Sequence, residues 1–192
     1  MDSSLACRLN AVREDREILE LVEEAQPAVV TIDAPLSLPE GRLRLGDRSG
    51  PHFRACDLEL RARGIPFFPL TLGPMRMLTR RGMRLAERLG RSGILTFETY
   101  PGAAQDLMGM PRKNAGRLKL RRALKGLGVS GDIARRGLTH DELDAATAAL
   151  VGVLYLHGDA EAIGRPEEGV MLLPRLGFDA RSPRALRNGP DL

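Results

Sequence analysis

The sequence predicts an α/β fold built as one compact domain, and three observations support this. Its 192 residues fall within the usual range for a single domain, and 43% of them are hydrophobic, which is enough for a buried core. An amphipathic helical pattern is followed directly by an unbroken run of β-branched residues. Further strand and helix patterns then alternate along the chain, as they do in α/β proteins.

The first elements establish this pattern. Residues 5–12 are predicted as a short strand, and residues 15–25 as a helix with apolar side chains on one face and acidic ones on the other. Pro27 separates that helix from residues 28–33, whose continuous apolar run is typical of a strand buried on both faces of a parallel sheet.

The middle of the chain is less regular. Residues 34–55 are rich in Pro, Gly, Ser and Arg without any period, so we expect a long irregular excursion of the kind that often carries function. Helices are predicted over residues 56–63 and 75–89, although Gly82 is unfavourable inside the second one. Residues 93–98 are predicted as a second strand.

The C-terminal half is predicted to be mainly helical. Short helices are expected over residues 103–108 and 115–127, and a longer one over residues 139–156. Thr139 and Glu142 have the spacing of a capping box, and an Ala-rich apolar body follows them. Because that body is apolar nearly all round, we expect the helix to be buried.

The end of the chain sets the predicted domain boundary. Residues 169–173 are predicted as a last strand, which Pro174 ends. The Arg- and Pro-containing tail over residues 175–192 is expected to be loosely held. A single domain is therefore predicted over residues 1–174.

Membrane proteins and secreted proteins are disfavoured. The longest apolar run, residues 145–156, is far shorter than the roughly 20 residues that span a bilayer. The first 15 residues are charged and lack the apolar stretch of a secretory signal. We therefore expect a cytoplasmic protein that makes no membrane contact.

Disulfide scaffolds and structural zinc sites are also disfavoured. Cys7 and Cys56 are too few and too far apart for a disulfide framework or a paired-cysteine zinc site. The three histidines, His52, His140 and His157, lack the close spacing of zinc-binding motifs. The sequence thus predicts two reduced thiols and no structural zinc.

The net charge of +4 hides a strong asymmetry. Residues 41–125 hold 19 basic and 6 acidic residues, whereas the rest of the chain holds 10 basic and 19 acidic residues. The basic middle is consistent with a face for phosphates or nucleic acid, and equally with a solvated surface. With no Trp and two Tyr, the chain lacks the stacking platforms of a pure single-strand binder.

Two carboxylates end the two strongest strand candidates. Asp33 comes shortly before Pro35, and Glu98 shortly before Pro101. Ligands of open parallel sheets bind beyond the carboxyl ends of the strands, so these two acids are candidates for one site. Neighbouring carboxylates repel unless a cation lies between them, and Mg²⁺ suits that position. The alternative for Asp33 is a turn-forming role in the following loop.

A third group of acids starts the long C-terminal helix. Asp141 and Asp144 lie three residues apart and so share a helix face. Because Asp144 enters an apolar helix, it needs a partner, and one interpretation is a Mg²⁺ or Mn²⁺ ion shared with Asp33 and Glu98. The alternative for Asp141 is stabilisation of the helix dipole.

Two neighbours of these acids have simpler interpretations. Glu142 is explained by the capping box with Thr139. His140 is either a solvated residue of the first turn or a side chain that positions water or phosphate.

Several motifs together resemble one protein family. They are Thr31-Ile-Asp-Ala-Pro-Leu-Ser-Leu-Pro39, Arg54-Ala-Cys-Asp57 with Arg61 and Arg63-Gly-Ile65, Glu98-Thr-Tyr-Pro101, and Thr139-His-Asp-Glu-Leu-Asp-Ala145. This ordered set is similar to the bacterial and archaeal "domain of unknown function 429" family, which is regarded as a family of predicted nucleases. The resemblance covers residues 15–174 and implies a ribonuclease H-like fold, a mixed sheet flanked by helices.

The resemblance also implies a set of site residues. Ribonuclease H-like enzymes hold two divalent ions with acids on two strands and a C-terminal helix, which implies Asp33, Glu98 and Asp144 as the acidic centre. Asp141 is an auxiliary candidate as a metal ligand. Arg54 and Arg61 match a further motif in which arginines suit phosphate contact, with surface pairing between Arg and Asp as the alternative.

One departure from the family concerns the N-terminus. Relatives open with an apolar strand that carries a Gly-Ile-Asp-like signature, and this chain starts without it. A late start codon, a natural truncation or a partner chain that supplies the strand would each explain this. The expectation is an N-terminally truncated domain with reduced stability and weak hydrolysis.

Two functions follow as hypotheses. The first is a Mg²⁺- or Mn²⁺-dependent nuclease that hydrolyses phosphodiester bonds. The alternative is a non-catalytic module of the same fold that binds nucleic acid or nucleotides. Phosphoryl transfer to a small metabolite is a weaker option, because the sequence contains neither a GxxxxGK[ST] nor a GxGxxG loop.

Overall fold

The protein has an α/β fold, as the sequence predicts. A computed structural model describes residues 1–177, apart from the side chain of Lys113. Within that range the elements run in the order β1 (Ala6–Cys7), α1 (Asp15–Ala25), β2 (Val30–Ile32), α2 (Ala55–Ala62), α3 (Gly73–Arg91), β3 (Thr96–Thr99), α4 (Pro101–Leu107), α5 (Arg117–Gly126), β4 (Ser130–Gly131), α6 (His140–Leu156), β5 (Ala160–Arg165) and β6 (Gly169–Pro174).

The described chain divides into two compact units. The first unit comprises Met1–Val12, Tyr100–Glu161 and the described residues from Leu172 onward. The second unit comprises Arg13–Thr99 and Ala162–Met171. Each unit combines separate segments of the chain. The single domain over residues 1–174 stays a prediction. Most of the predicted tail, from residue 178 onward, lies outside the described residues.

The larger sheet has the strand order β2-β3-β6-β5. Strands β2 and β3 are parallel, with Val30 opposite Thr96 and Ile32 opposite Glu98. Strands β5 and β6 are neighbours joined by three residues, a connection short enough only for an antiparallel pair, so the sheet is mixed. The sequence pattern missed β5, because Ala and Gly make its apolar alternation weak.

Gly82 lies inside helix α3 because the helix packs closely against the segment after β2. Its buried side is formed by Thr79, Gly82, Leu85 and Leu89. A Cβ atom at Gly82 would lie 2.8 Å from the Cβ of Ala34, in the segment that follows β2. Gly82 therefore permits a close approach between helix and loop that any larger residue would prevent.

The first unit is built around α6. This helix contacts α4 and α5 and buries most of its length, as its apolar sequence predicts. Thr139 accepts a hydrogen bond from the Glu142 N–H at 3.1 Å, and the Glu142 carboxylate accepts one from the Thr139 N–H at 2.8 Å. The predicted capping box is thus confirmed. The predicted strand over residues 5–12 is much shorter, since only Ala6–Cys7 pairs with β4, in parallel.

Two predicted absences concern membranes and disulfides. Across residues 1–177, each helix is either too short or too polar to cross a bilayer. Cys7 and Cys56 are both buried and both free thiols, in agreement with the sequence.

Candidate functional site

The carboxyl ends of β2 and β3 bring two of the predicted site residues to one edge of the sheet. Ile32 lies opposite Glu98 in parallel register, and Asp33 is the next residue along the chain. Asp33 thus directly follows β2 and Glu98 is the third residue of β3, so both lie near the carboxyl ends of two paired parallel strands. Their environments differ, because Asp33 is exposed whereas Glu98 is only 3% exposed.

The buried Glu98 carboxylate binds the guanidinium of Arg54. Arg54 Nη1 donates to Glu98 Oε2 at 2.5 Å, and Nη2 donates to Oε1 at 2.7 Å. The backbone N–H of Leu36 donates to Oε2 as well, at 2.8 Å. This two-bond pairing uses both carboxylate oxygens, and it ties β3 to the segment that precedes α2.

A second carboxylate holds the other edge of the same guanidinium. Arg54 Nε donates to Asp57 Oδ2 at 3.1 Å, and Nη2 donates to Asp57 Oδ1 at 2.9 Å. Arg54 is the N-cap residue of α2 and Asp57 is its third residue, so the Asp57 carboxylate also accepts the Arg54 N–H at 2.9 Å. We call Arg54, Asp57 and Glu98 the Arg54 cluster. Arg54 is 2% exposed there.

The cluster contains one cation and two carboxylates, all three buried. Burial acts to lower the pKa of Arg54, but the hydrogen bonds that Arg54 donates to Glu98 and Asp57 outweigh it, so the pKa is raised and the guanidinium stays charged. Burial raises the pKa of Glu98, and the Arg54 guanidinium opposes that effect. Burial also raises the pKa of the neighbouring Cys56 thiol to about 12. Separating Arg54 from its partners would leave buried charge uncompensated.

Helix α2 is fixed at this position by two further acids. Glu168, in the turn between β5 and β6, accepts the N–H of Ala55 with one carboxylate oxygen and the N–H of Glu40 with the other. Glu59 accepts the N–H of Gly164 at 2.8 Å. These bonds hold the first turn of α2, and with it Arg54, against the β5–β6 hairpin.

In the first unit, Asp144 has a neutral partner. It is 7% exposed, and its Oδ1 accepts a hydrogen bond from the amide of Gln105 on α4 at 2.9 Å. The expectation that the buried Asp144 needs a partner at the entrance of α6 is confirmed, and one partner is the Gln105 amide. Asp141 and His140 lie exposed in the first turn of the same helix.

Arg61 has an aromatic neighbour. Its guanidinium carbon lies 4.0 Å from the centre of the Phe53 ring, and Phe53 meets Phe67 edge to face at 5.9 Å. This cation–π contact lines a cavity of about 400 Å³. Arg61 is exposed and therefore accessible to a ligand. Its role in phosphate contact stays a prediction. Arg54, in contrast, has its guanidinium covered by protein carboxylates.

The Arg54 cluster does not fit a divalent ion. Both oxygens of Glu98 and both oxygens of Asp57 already accept hydrogen bonds from a permanent cation. Within the part of the chain that the structure describes, no group of three or more His, Cys, Asp or Glu side chains is placed to hold a metal. The predicted metal-ligand role of Asp33, Asp141 and Asp144 stays a prediction, while Glu98 in this arrangement is an ion-pair partner.

Sequence reasoning missed several residues that shape these sites. Gln105 and Glu168 carry no motif, and their partners lie far along the chain. The arginines of α3 recur every four residues, at Arg76, Arg80, Arg84 and Arg88. This spacing is visible in the sequence, but these residues were counted there only as part of the basic middle of the chain.

Comparison with known proteins gives one match. No curated protein and no solved structure matches this chain at a significant level. A family model described as "Protein of unknown function (DUF429)" matches residues 2–169, which is most of the sequence. The chain therefore belongs to the DUF429 family, as its motifs predicted.

Proposed function

We propose that this protein binds nucleic acid through the phosphodiester backbone, using a row of arginines on α3. The row consists of Arg76, Arg80, Arg84 and Arg88, all of them exposed. The single observation that carries this proposal is that these charges share one helix face and that most of them have no acidic partner among residues 1–177.

The geometry of α3 aligns the row. Residues four apart in a helix lie about 6 Å from each other along the axis and on nearly the same face. The row lies opposite the buried side of the helix, which is formed by Thr79, Gly82, Leu85 and Leu89. A line of guanidinium groups therefore runs along the exposed side, as an extended polyanion requires.

The charges of this row are available. In residues 1–177, Arg80, Arg84 and Arg88 form no ion pair, whereas Arg81 pairs with Asp15 at 2.6 Å and Arg91 pairs with Glu87 at 2.5 Å. Exposed, unneutralised guanidinium groups create the positive potential that attracts phosphates and releases counterions on binding.

The test is a salt titration of oligonucleotide binding, measured by fluorescence anisotropy with DNA and RNA probes. We expect affinity to fall steeply with salt, and each of Arg80→Gln, Arg84→Gln and Arg88→Gln to reduce the slope of log K against log salt by about 0.7–0.9. Arg16→Gln is the matched control, because Arg16 is an exposed helical arginine that pairs with Glu20. Equal effects of all four variants, or no binding at all, would contradict the proposal.

Phosphodiester hydrolysis is a second candidate function. The observation that favours it is the exposed Asp33, which directly follows β2 beside β3 at the edge where ligands of parallel sheets bind. This candidate includes the ribonuclease H-like fold and the Mg²⁺ or Mn²⁺ cofactor that the resemblance implies.

The hydrolysis candidate has a direct test. Purified protein is incubated with labelled DNA or RNA and Mg²⁺ or Mn²⁺, and cleavage is compared with that of Asp33→Asn and Asp144→Asn. We expect both variants to lose cleavage while circular dichroism confirms that they are folded. Cleavage that persists in both variants, or none by the unmodified protein, excludes this candidate and leaves the binding function intact.

A further inference from the structure

A large cavity lies beside the arginine row. It has a volume of about 940 Å³ and lies between α3 and the 36–47 segment, both in the second unit. Its basic residues are Arg44, Arg80 and Arg84. Its apolar residues come from both sides and include Leu36, Leu38, Met83 and Ala86. The cavity is thus lined by three arginines and by aliphatic side chains.

The acidic residues at this cavity are already engaged. Asp47 accepts a hydrogen bond from the backbone N–H of Arg44 at 2.8 Å, and Glu87 forms its ion pair with Arg91. Arg80 and Arg84 have no such partner in the described part of the chain. The Asp47 carboxylate keeps its charge, so within residues 1–177 three arginines stand against one carboxylate that has no ion pair, and the balance of charge at the cavity is positive.

The loop that carries Arg44 is built around another arginine. Arg42 is 5% exposed, and its guanidinium donates to the backbone carbonyls of Asp47 at 2.9 Å, Gly50 at 3.2 Å and Pro51 at 2.7 Å. It forms no ion pair with any carboxylate in residues 1–177. Arg42 fixes the loop and adds a buried positive charge near the cavity, so the anion site is ordered before a ligand binds.

We propose that this cavity binds the phosphorylated end of a nucleic acid strand, with the terminal phosphate on Arg44, Arg80 and Arg84 and the terminal base against Leu36, Leu38 and Met83. The inference rests on the proposed nucleic-acid binding and adds the part of the strand that is recognised. A terminal phosphate monoester carries a charge of about −1.5 to −2 at pH 7, whereas a backbone diester carries −1. Three arginines lining one cavity therefore favour the end over the interior of a strand.

A terminal nucleotide also suits the apolar wall. A base at a strand end has one stacked face free and can turn into a cavity at lower cost than an internal base. Leu and Met side chains offer it an apolar contact without requiring an aromatic platform. The arginine row continues from the cavity along α3 and would hold the following phosphates.

The experiment compares oligonucleotides of one sequence that carry a 5′-phosphate, a 3′-phosphate or no terminal phosphate. We expect one phosphorylated end to bind about tenfold more tightly than the unphosphorylated strand. Arg44→Gln removes this difference, because Arg44 lies on the cavity loop and outside the row, while salt-dependent binding of the unphosphorylated strand persists. The 5′ and 3′ arms identify which end is bound.

A competition assay tests the base contact. We expect adenosine monophosphate to displace the phosphorylated strand at a lower concentration than inorganic phosphate does. Met83→Gln removes that advantage, and Met77→Gln, which changes an exposed methionine of α3 outside the cavity, leaves it unchanged.

Two results would overturn the inference separately from the proposed function. Equal affinity for all three strands, with a normal salt dependence, rejects recognition of the end and leaves backbone binding standing. Equal competition by adenosine monophosphate and inorganic phosphate rejects the base contact. Failure to bind any strand overturns the proposed function itself.

Discussion

Arg54 and Arg84 are arginines of the same unit, yet Arg54 is buried between two carboxylates, whereas Arg84 is exposed on α3 and has no acidic partner in the part of the chain that the structure describes. The guanidinium of Arg54 connects β3 with the first turn of α2, and its charge is neutralised inside the protein. The charge of Arg84 stays available to solvent and ligands. A count of basic residues therefore does not measure the anion-binding surface, because buried ion pairs add to the count but contribute little to the external field.

The largest expected effect is on the reactivity of the Cys56 thiol beside the Arg54 cluster, and it shows whether this region is closed to water. Burial raises the pKa of Cys56 to about 12, so at pH 8 its thiolate fraction is about a thousandfold below that of an exposed thiol. In Cys7→Ser protein, iodoacetamide should label Cys56 at a negligible rate until denaturant is added. As pH rises towards 12 the rate should increase. Rapid labelling of folded protein at pH 8 would show that this region is open to water.

The next effect is on stability. Arg54→Met leaves Glu98 and Asp57 buried without their cation, so we expect a loss of about 3–5 kcal/mol in the free energy of unfolding, measured by urea denaturation. Arg61→Met on the same helix is the control, since its exposed cation–π contact contributes only about 0.5–1 kcal/mol. Similar losses in both variants would remove the distinction between buried and exposed arginines.

Arg42 is an intermediate case, since it is buried but binds backbone carbonyls instead of carboxylates. Arg42→Met removes a donor from four backbone carbonyls but leaves no unpaired charge, so we expect a loss of about 1.5–3 kcal/mol in the free energy of unfolding. The same denaturation experiment measures it. A loss as large as that of Arg54→Met would mean that burial alone, and not charge pairing, sets the cost.

The smallest effect is expected on α3. Arg84→Gln should change the free energy of unfolding by no more than about 0.5 kcal/mol, because an exposed side chain without partners contributes little to folding. Its effect should instead appear in oligonucleotide affinity and salt dependence. A clear loss of stability would show that Arg84 has a structural role like that of Arg54.

Much of the secondary structure could be predicted because it depends on local pattern. The helix over residues 15–25 is found within the predicted bounds, and the capping box of Thr139 and Glu142 forms as its spacing indicates. The apolar run over residues 28–33 predicts a strand of a parallel sheet, and β2 does pair with β3 in parallel. Strand β5 was missed, since its short side chains give no period.

The candidate site was predicted less well, for a physical reason. The apolar runs placed Asp33 and Glu98 at the ends of two strands, and the family resemblance implied phosphate contact for Arg54. The pairing of Arg54 with Glu98 was not predicted. The two residues are 44 positions apart, and their bond exists only because α2 and β3 pack together. A local pattern carries no information on which distant charge neutralises a buried one.

Local patterns along the chain are sufficient to predict the α/β class, most helices, the family and an excess of positive charge in the middle of the chain. Which arginines are neutralised inside the protein and which remain exposed on α3 depends on how the elements pack. Helix periodicity and capping depend on residues a few positions apart, whereas burial and ion pairing depend on contacts between elements that the chain order does not specify.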